Sequence, residues 1–425
     1  MISVDGLAAD YLDDPKAEMP NIRKMAAEGA RAASMKAVNP TVTWPNHTTL
    51  VTGDTPAKHG VVGNNYLDRE TGKKVTLIAD PVFDKVQIVK VPTIYDVAKA
   101  KGLKTAAVRW PATRNAPTLD WTTPDVRTLD LVRDFTTPAL TNECAKAGIN
   151  LFAERAEAES ALDERPIDEN YTRTFDLILR EHHPNLALMH LVNVDHTQHL
   201  KGPRTEAAYD AIKLADKMVG EIWAEVQRDY AGKATVFVVS DHGFSAINVQ
   251  ILPNVILRKA GLLEGSKKTE GDVQTVVQGG EAFIYIRDGA DRAAVMAKVK
   301  QAFTGVDGIL RIIGSDEFEK YGVADPKADP HAPDMILFAK EGYALGDTAA
   351  GELPFKNKPE RKGSHGHDAD IPHLHATFVA WGAGIKPGVK LGEISNLDVA
   401  PTIAVLLGLP FPNVEGKPLT GVLAK

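Results

Sequence analysis

Strand-length apolar runs alternating with helix-length amphipathic stretches limit this chain to few architectures. Residues 2–4, 33–38, 104–110, 186–194, 235–240 and 376–381 read as strands; 20–29, 91–101, 171–180, 205–230 and 399–407 read as helices. Strands spaced by helices in this way imply parallel βαβ units with both faces of a sheet covered. A chain of 425 residues corresponds to roughly three units of about 150 residues, or to one large α/β domain with an insertion. Between about 245 and 358 the texture changes to short strands (282–287, 334–339), two helices (291–303, 316–321) and Pro- and Gly-rich connections. The expected organisation is an α/β core of residues 1–244 and 359–425 carrying an inserted α+β cap at 245–358.

Composition narrows the function classes. Hydrophobic residues make up 44% and charged residues 25% of the chain, values ordinary for a globular protein. The net charge of −7 argues against nucleic-acid binding beyond nucleotide-type ligands, and against an anionic-membrane binder. The longest apolar runs, such as 235–240, are strand-sized, so no membrane span is expected. A single cysteine, Cys144, excludes an internal disulfide framework and a Cys-rich zinc site.

Three apolar runs stop at an acid: Ile2-Ser3-Val4-Asp5, Leu191-Val192-Asn193-Val194-Asp195 and Phe237-Val238-Val239-Ser240-Asp241. In parallel α/β sheets, ligands bind beyond the carboxyl ends of the strands. Each acid alone reads equally well as a helix cap or a turn residue. Three carboxylates gathered together would repel unless a cation held them. Histidines accompany them in a telling order. Asp195 and His199 are four apart, a spacing that aims both at one ion if the chain is helical there. His242 and Gly243 follow Asp241, and Gly363-Ser364-His365-Gly366-His367-Asp368 comes later. Oxygen and nitrogen donors without sulfur suit zinc, with manganese or iron as alternatives.

Residues 40–53 read as a loop entering a short helix. Pro45 fits the first turn, which makes Thr43 or Trp44 the expected cap. A helix N-terminus also offers free N–H groups to a phosphate. A threonine hydroxyl becomes a useful nucleophile when a divalent cation favours its alkoxide.

Met1 to Leu7, Pro40 to Gly53, His59-Gly60-Val61-Val62-Gly63-Asn64, Asp195 to Pro203, Ser240 to Gly243, Gly363 to Gly366 and Asn396 to Thr402 together resemble the successive motifs of the nucleotide pyrophosphatase/phosphodiesterase family of the alkaline phosphatase superfamily. The resemblance spans nearly the whole chain. It implies an alkaline-phosphatase-like three-layer sandwich with a mostly parallel central sheet and an inserted α+β cap. It implies hydrolysis of phosphodiester or pyrophosphate bonds through a phospho-threonine intermediate on Thr43 at a two-zinc site. By motif, Asp195, His199 and His365 would hold one zinc ion. Asp5, Asp241, His242 and the Thr43 oxygen would hold the other. Asn64 and the Trp44 backbone N–H would grip a phosphoryl oxygen, and the Trp44 side chain would flank the leaving group. Where the family has a tyrosine after G-x-H-G this chain has His367, which makes that residue a candidate substrate contact.

The alternative within the resemblance is a phosphonoacetate hydrolase or related phosphatase, so the expected substrate is a small phosphoester or phosphonate. A monoesterase is disfavoured, since no further cation stands out for a doubly charged phosphate. Cys144 lacks the Cys-x-Pro-x-Arg context of sulfatases, and Thr43 departs from the serine of phosphosugar mutases. A non-catalytic, metal-stabilised binding protein would not need Thr43 and Asn64 beside the ligand set. His47, His59 and His196 are expected to serve packing or support. His373 or His375 would orient a ligand, and Arg109 would either meet an anionic substrate or be paired in the core. The first residues lack the basic and apolar regions of a signal peptide. The strand stub before Asp5 suggests a longer precursor, periplasmic or secreted.

Overall fold

Strand Thr235–Val239 shows how the central sheet is covered. Val236 and Val238 pack with helices Pro20–Glu28, Arg165–His182 and Glu206–Asp229. Phe237 and Val239 point the other way, into a second cluster with helices Thr43–Thr52, Ile94–Ala100 and Val399–Leu406. Alternating side chains on a strand face opposite layers, so the chain forms an α/β sandwich of three layers. The computed structural model describes residues 1–77, 83–151, 163–230, 232–265 and 271–424.

Eight strands lie in the order Val389–Ser395, Ala30–Lys36, Phe378–Gly382, Thr235–Val239, Ile2–Val4, Leu186–Leu191, Thr105–Val108 and Trp121–Thr123. All neighbours are parallel except where Phe378–Gly382 runs against both of its partners. The sheet is therefore mixed, with one reversed strand.

A separate antiparallel sheet joins Val273–Val277, Glu281–Ile286, Met335–Ala339 and Ile309–Gly314, with helix Arg292–Phe303 packed on it. The helix expected at 316–321 is only a 3-10 turn, Phe318–Tyr321. Strand Ser245–Ile251 links these regions. It leaves the central sheet just after Asp241-His242 and pairs with Gly363–Ser364, which returns the chain to His365.

One expected strand is shorter than its apolar run. Residues 186–194 were expected to continue to Asp195, but the strand ends at Leu191 and a helix, Asn193–Lys201, begins. The cause is distant in sequence. The Asp168 carboxylate accepts the N–H groups of Val192 (2.9 and 3.0 Å) and Asn193 (2.8 Å), satisfying donors at the new helix start.

Candidate active site

Strands Thr235–Val239, Ile2–Val4 and Leu186–Leu191 are parallel neighbours, so the chain beyond each emerges at the same edge of the sheet. Asp5 and Asp241 lie just past two of these ends, and Asp195 lies in the first turn of helix Asn193–Lys201. That helix places His199 one turn beyond Asp195, and the return through Gly363–Ser364 brings in His365. The donor atoms of Asp195, His199 and His365 fall within 4.8 Å of one another; so do those of Asp5, Asp195 and His242. Asp195 bridges the groups, with Oδ2 3.5 Å from His199 Nε2 and Oδ1 3.3 Å from His365 Nε2. Asp241 Oδ2 joins at 3.1 Å from His242 Nε2, and Asp5 Oδ1 stands 3.4 Å from the same nitrogen.

The three imidazoles are oriented alike. His199 Nδ1 meets the Gly363 carbonyl, His365 Nδ1 the Thr41 carbonyl and His242 Nδ1 the Gly243 carbonyl, each at 3.0 Å. A carbonyl only accepts, so each Nδ1 carries the hydrogen and each Nε2 presents a lone pair. The Nε2 atoms of His199 and His365 face each other at 3.1 Å. Two lone pairs at that distance are comfortable only with a cation between them. Asp5 Oδ1, Asp195 Oδ1, Asp241 Oδ2 and His242 Nε2 are likewise buried without hydrogen-bond partners. Buried polar atoms are otherwise almost always paired, so these residues fit divalent cations. Backbone carbonyls behind metal-binding imidazoles are the usual support for such a site.

For His199 and His365 the electrostatics agree with that donor role, whereas His242, which burial alone would lower, is raised by Asp241 beside it. Burial pushes His199 down to about 3 and His365 well below the usual histidine range, so both are neutral donors near neutral pH. Burial, with Asp241 and Asp195 alongside, pushes Asp5 well above the carboxylate range. Burial alone would raise Asp241 too, but His242 and His47 hold it below.

Thr43 begins helix Thr43–Thr52, while the cap position falls to Val42, and no side chain caps the helix. The expectation of Thr43 or Trp44 at the cap is thus off by one or two residues, and Pro45 sits later in the first turn. Thr43 is bracketed by the site. His365 donates to Thr41, and His47 Nδ1 donates to the Thr43 carbonyl at 2.9 Å while lying 3.5 Å from Asp241. Asn64 Oδ1 accepts the Trp44 N–H at 2.8 Å, so that N–H is spent within the chain rather than turned to a phosphoryl oxygen as expected, and the Asn64 amide's own N–H groups are left to offer. The Trp44 indole does not form an open wall. It is buried among Val61, Val62, Tyr66, Leu77, Val89 and Ala112.

Other side chains resolve the open alternatives. Arg109 is 5% exposed and paired with Asp168, Glu164 and Asp125, so it is a core arginine rather than a substrate contact. His59 is structural, with its ring against Thr49 and the Val61 N–H. His367 is wholly buried, packs where a Cβ on Gly280 would stand, and meets the Tyr343 carbonyl at 2.6 Å. It ties 363–368 to the inserted region instead of facing a substrate. His373 and His375 turn to Asp10, Glu341, Glu393 and the Ala369 carbonyl, so neither ring orients a ligand. Their backbone matters instead: the Gly243 and Phe244 N–H groups donate to the Leu374 and His373 carbonyls. A Cβ on Gly243 would lie 2.1 Å from the His373 oxygen.

Two residues escaped the sequence reading. His190 lies inside an apolar strand, with Nε2 3.0 Å from Asp5 Oδ2; its only signal is a polar residue in a run that is otherwise core. Asn46 clamps the loop before Thr43, accepting the Val38 N–H and donating to the Pro40 and Val42 carbonyls.

Comparison with known proteins follows the same lines. The sequence model of the type I phosphodiesterase / nucleotide pyrophosphatase family matches residues 1–368. Ectonucleotide pyrophosphatase/phosphodiesterase family member 1 of Homo sapiens is 25% identical over 426 residues, covering 97% of this chain and 40% of its own length. A venom phosphodiesterase of Naja atra is 24% identical, covering 97% of this chain and 44% of its own. Family member 7 of Rattus norvegicus is 23% identical, covering 100% and 85%. The chain thus spans less than half the length of the first two relatives. Among solved structures, human ectonucleotide pyrophosphatase/phosphodiesterase 5 superposes with a TM-score of 0.74 at 18% identity, covering 100% of this chain and 99% of its own. An inactive murine variant of that protein in complex with AMP gives 0.74 at 19%, covering 100% and 98%. These likenesses show a shared fold.

Proposed function

The chain belongs to the type I phosphodiesterase / nucleotide pyrophosphatase family, and from that premise we propose that it hydrolyses phosphodiester or pyrophosphate bonds in small nucleotide-type substrates, with Thr43 as nucleophile. The reading is carried by one observation: three imidazoles, two of them buried and His199 half-buried, spend Nδ1 on backbone carbonyls and turn Nε2 toward three carboxylates. Asp195, His199 and His365 would hold one cation, and Asp5, Asp241, His242 and Thr43 a second, with zinc the best match to the donors. Such cations lower the pKa of a hydroxyl and take up charge on phosphoryl oxygens.

The chain's own residues supply the rest. The Thr43 hydroxyl attacks phosphorus in line, giving a phospho-threonine and expelling the alcohol or phosphate; water then cleaves the ester and restores the hydroxyl. Asn64 offers an amide N–H to a phosphoryl oxygen, and Asn46 keeps the preceding loop in register. The region 245–358 would act as a cap that selects the leaving group. An AMP complex of a protein with this fold favours nucleotide esters as first substrates.

The test is Thr43→Ala, assayed on bis-(p-nitrophenyl) phosphate and a nucleoside 5′-aryl phosphate, with zinc content measured on the same sample. Turnover is expected to fall by about 10³-fold or more with zinc retained. A near wild-type rate would remove Thr43 from this role, and cleavage of phosphonoacetate alone would replace the substrate class.

A further inference from the structure

We propose that Arg109 is the shared positioning residue of the two ligand groups, holding Asp5 through its backbone carbonyl and Asp195 through its guanidinium. The inference rests on the site reading above and concerns the side chains behind it.

Arg109 follows strand Thr105–Val108 and adopts a φ of 55°. Non-glycine residues rarely use that left-handed region, and the strain persists only where surrounding contacts enforce it. Here they do. Its N–H donates to the Thr123 carbonyl at 2.7 Å. Its own carbonyl accepts from His190 Nδ1 at 3.0 Å. The opposite ring nitrogen of His190 lies 3.0 Å from Asp5 Oδ2, a contact that takes one proton between the two atoms. One Asp5 oxygen is thereby fixed, and the other, Oδ1, is left unpartnered facing His242.

The guanidinium works in the other direction. Nη1 reaches Asp168 Oδ1 at 3.1 Å and Nη2 reaches Glu164 Oε2 at 2.8 Å, with Asp125 3.8 Å from Nε. Asp168 uses the same carboxylate to receive the Val192 and Asn193 N–H groups, which starts helix Asn193–Lys201 two residues ahead of Asp195. Arg109 therefore sits where two chains of contact diverge, one to Asp5 and one to Asp195. A lysine carries the charge but not the planar fork that spans several acids.

The experiment compares wild type with Arg109→Lys, His190→Gln and Asp168→Asn. Zinc affinity is read by competition with a chromophoric chelator, and folding by circular dichroism of the metal-free chain. Asp5→Asn and Asp195→Asn assign the two binding steps. Arg109→Lys loses the fork but keeps the backbone carbonyl, so it should weaken the step lost in Asp195→Asn by about 10- to 100-fold, the usual cost of losing such support, and leave the step lost in Asp5→Asn nearly unchanged. His190→Gln should weaken only the step lost in Asp5→Asn, and Asp168→Asn only the step lost in Asp195→Asn. Arg109→Lys binding within twofold of wild type at the Asp195 step, or His190→Gln binding within twofold at the Asp5 step, overturns the shared role. Should that variant not fold, the other two decide: weakening of the same step by both overturns it equally. Wild type that binds no zinc would instead sink the site reading itself.

Discussion

At the scale of single residues, the entrance to helix Thr43–Thr52 is held by a polar bond and an apolar plug. Asn64 takes up the Trp44 N–H, and the indole fills a pocket of residues drawn from 61–89 and Ala112. The indole Nε1 is buried without a partner, so its hydrogen bonding contributes nothing that phenylalanine would lose. Trp44→Ala should open a cavity and cost about 3–5 kcal/mol in urea unfolding, while Trp44→Phe should cost far less. Equal midpoints for wild type and Trp44→Ala would show that the ring is not a plug. The sequence draws the eye to Thr43 and Trp44, but the direction of the indole depends on partners up to 68 positions away, as Ala112 shows. The same non-locality hid the role of His190, whose only local signal is its polarity within an apolar strand and whose partner Asp5 is 185 positions away.

At the scale of elements, helix Arg165–His182 carries a buried acid, Asp168, and a half-buried one, Asp176, with different fates. Asp168 meets Arg109 and two N–H groups, whereas Asp176 Oδ1 has no partner and lies opposite Glu225 and Glu221 of helix Glu206–Asp229. Burial, then those two glutamates, push Asp176 from 3.8 up to about 7. Its folded-state value exceeds its unfolded one, so the native chain holds this proton more tightly. The site's contribution is complete below about pH 4 and is lost as the pH rises through about 7. Asp176→Asn should therefore exceed wild type in stability at pH 8 by roughly 2–4 kcal/mol, with the gap closing near pH 4. Urea titrations at the two pH values check this, and a gap independent of pH would contradict it. Element reading succeeded where the pattern is local, as for Thr235–Val239 before Asp241. It failed at 192–194, where apolar side chains suggested more strand and Asp168, 24 residues earlier, dictated a helix.

At the scale of the whole molecule, the site exists because three strands far apart in sequence are neighbours in the sheet. The acids were legible because each follows an apolar run, and His199 and His365 because their spacing and glycines are local. Their convergence was not legible from residue patterns alone. It depends on strand order, and on the return from Ser245–Ile251 to Gly363–Ser364. Gly366 shows how tight that return is: with φ of 79°, a Cβ there would stand 1.8 Å from the Gln278 carbonyl. The expectation of an inserted α+β region at 245–358 came from texture, and the antiparallel sheet of 273–339 lies within those bounds. How that sheet meets 363–368, through Gly280 N–H to the His365 carbonyl and through His367 to Tyr343, came only from the structure.

The most direct measurement is an anomalous difference map at the zinc edge from crystals of the zinc-loaded chain. Two peaks about 4 Å apart are expected, one bounded by Asp195, His199 and His365, the other by Asp5, Asp241 and His242 beside the Thr43 oxygen. A single peak, or none among these residues, would contradict a two-cation site built around that hydroxyl.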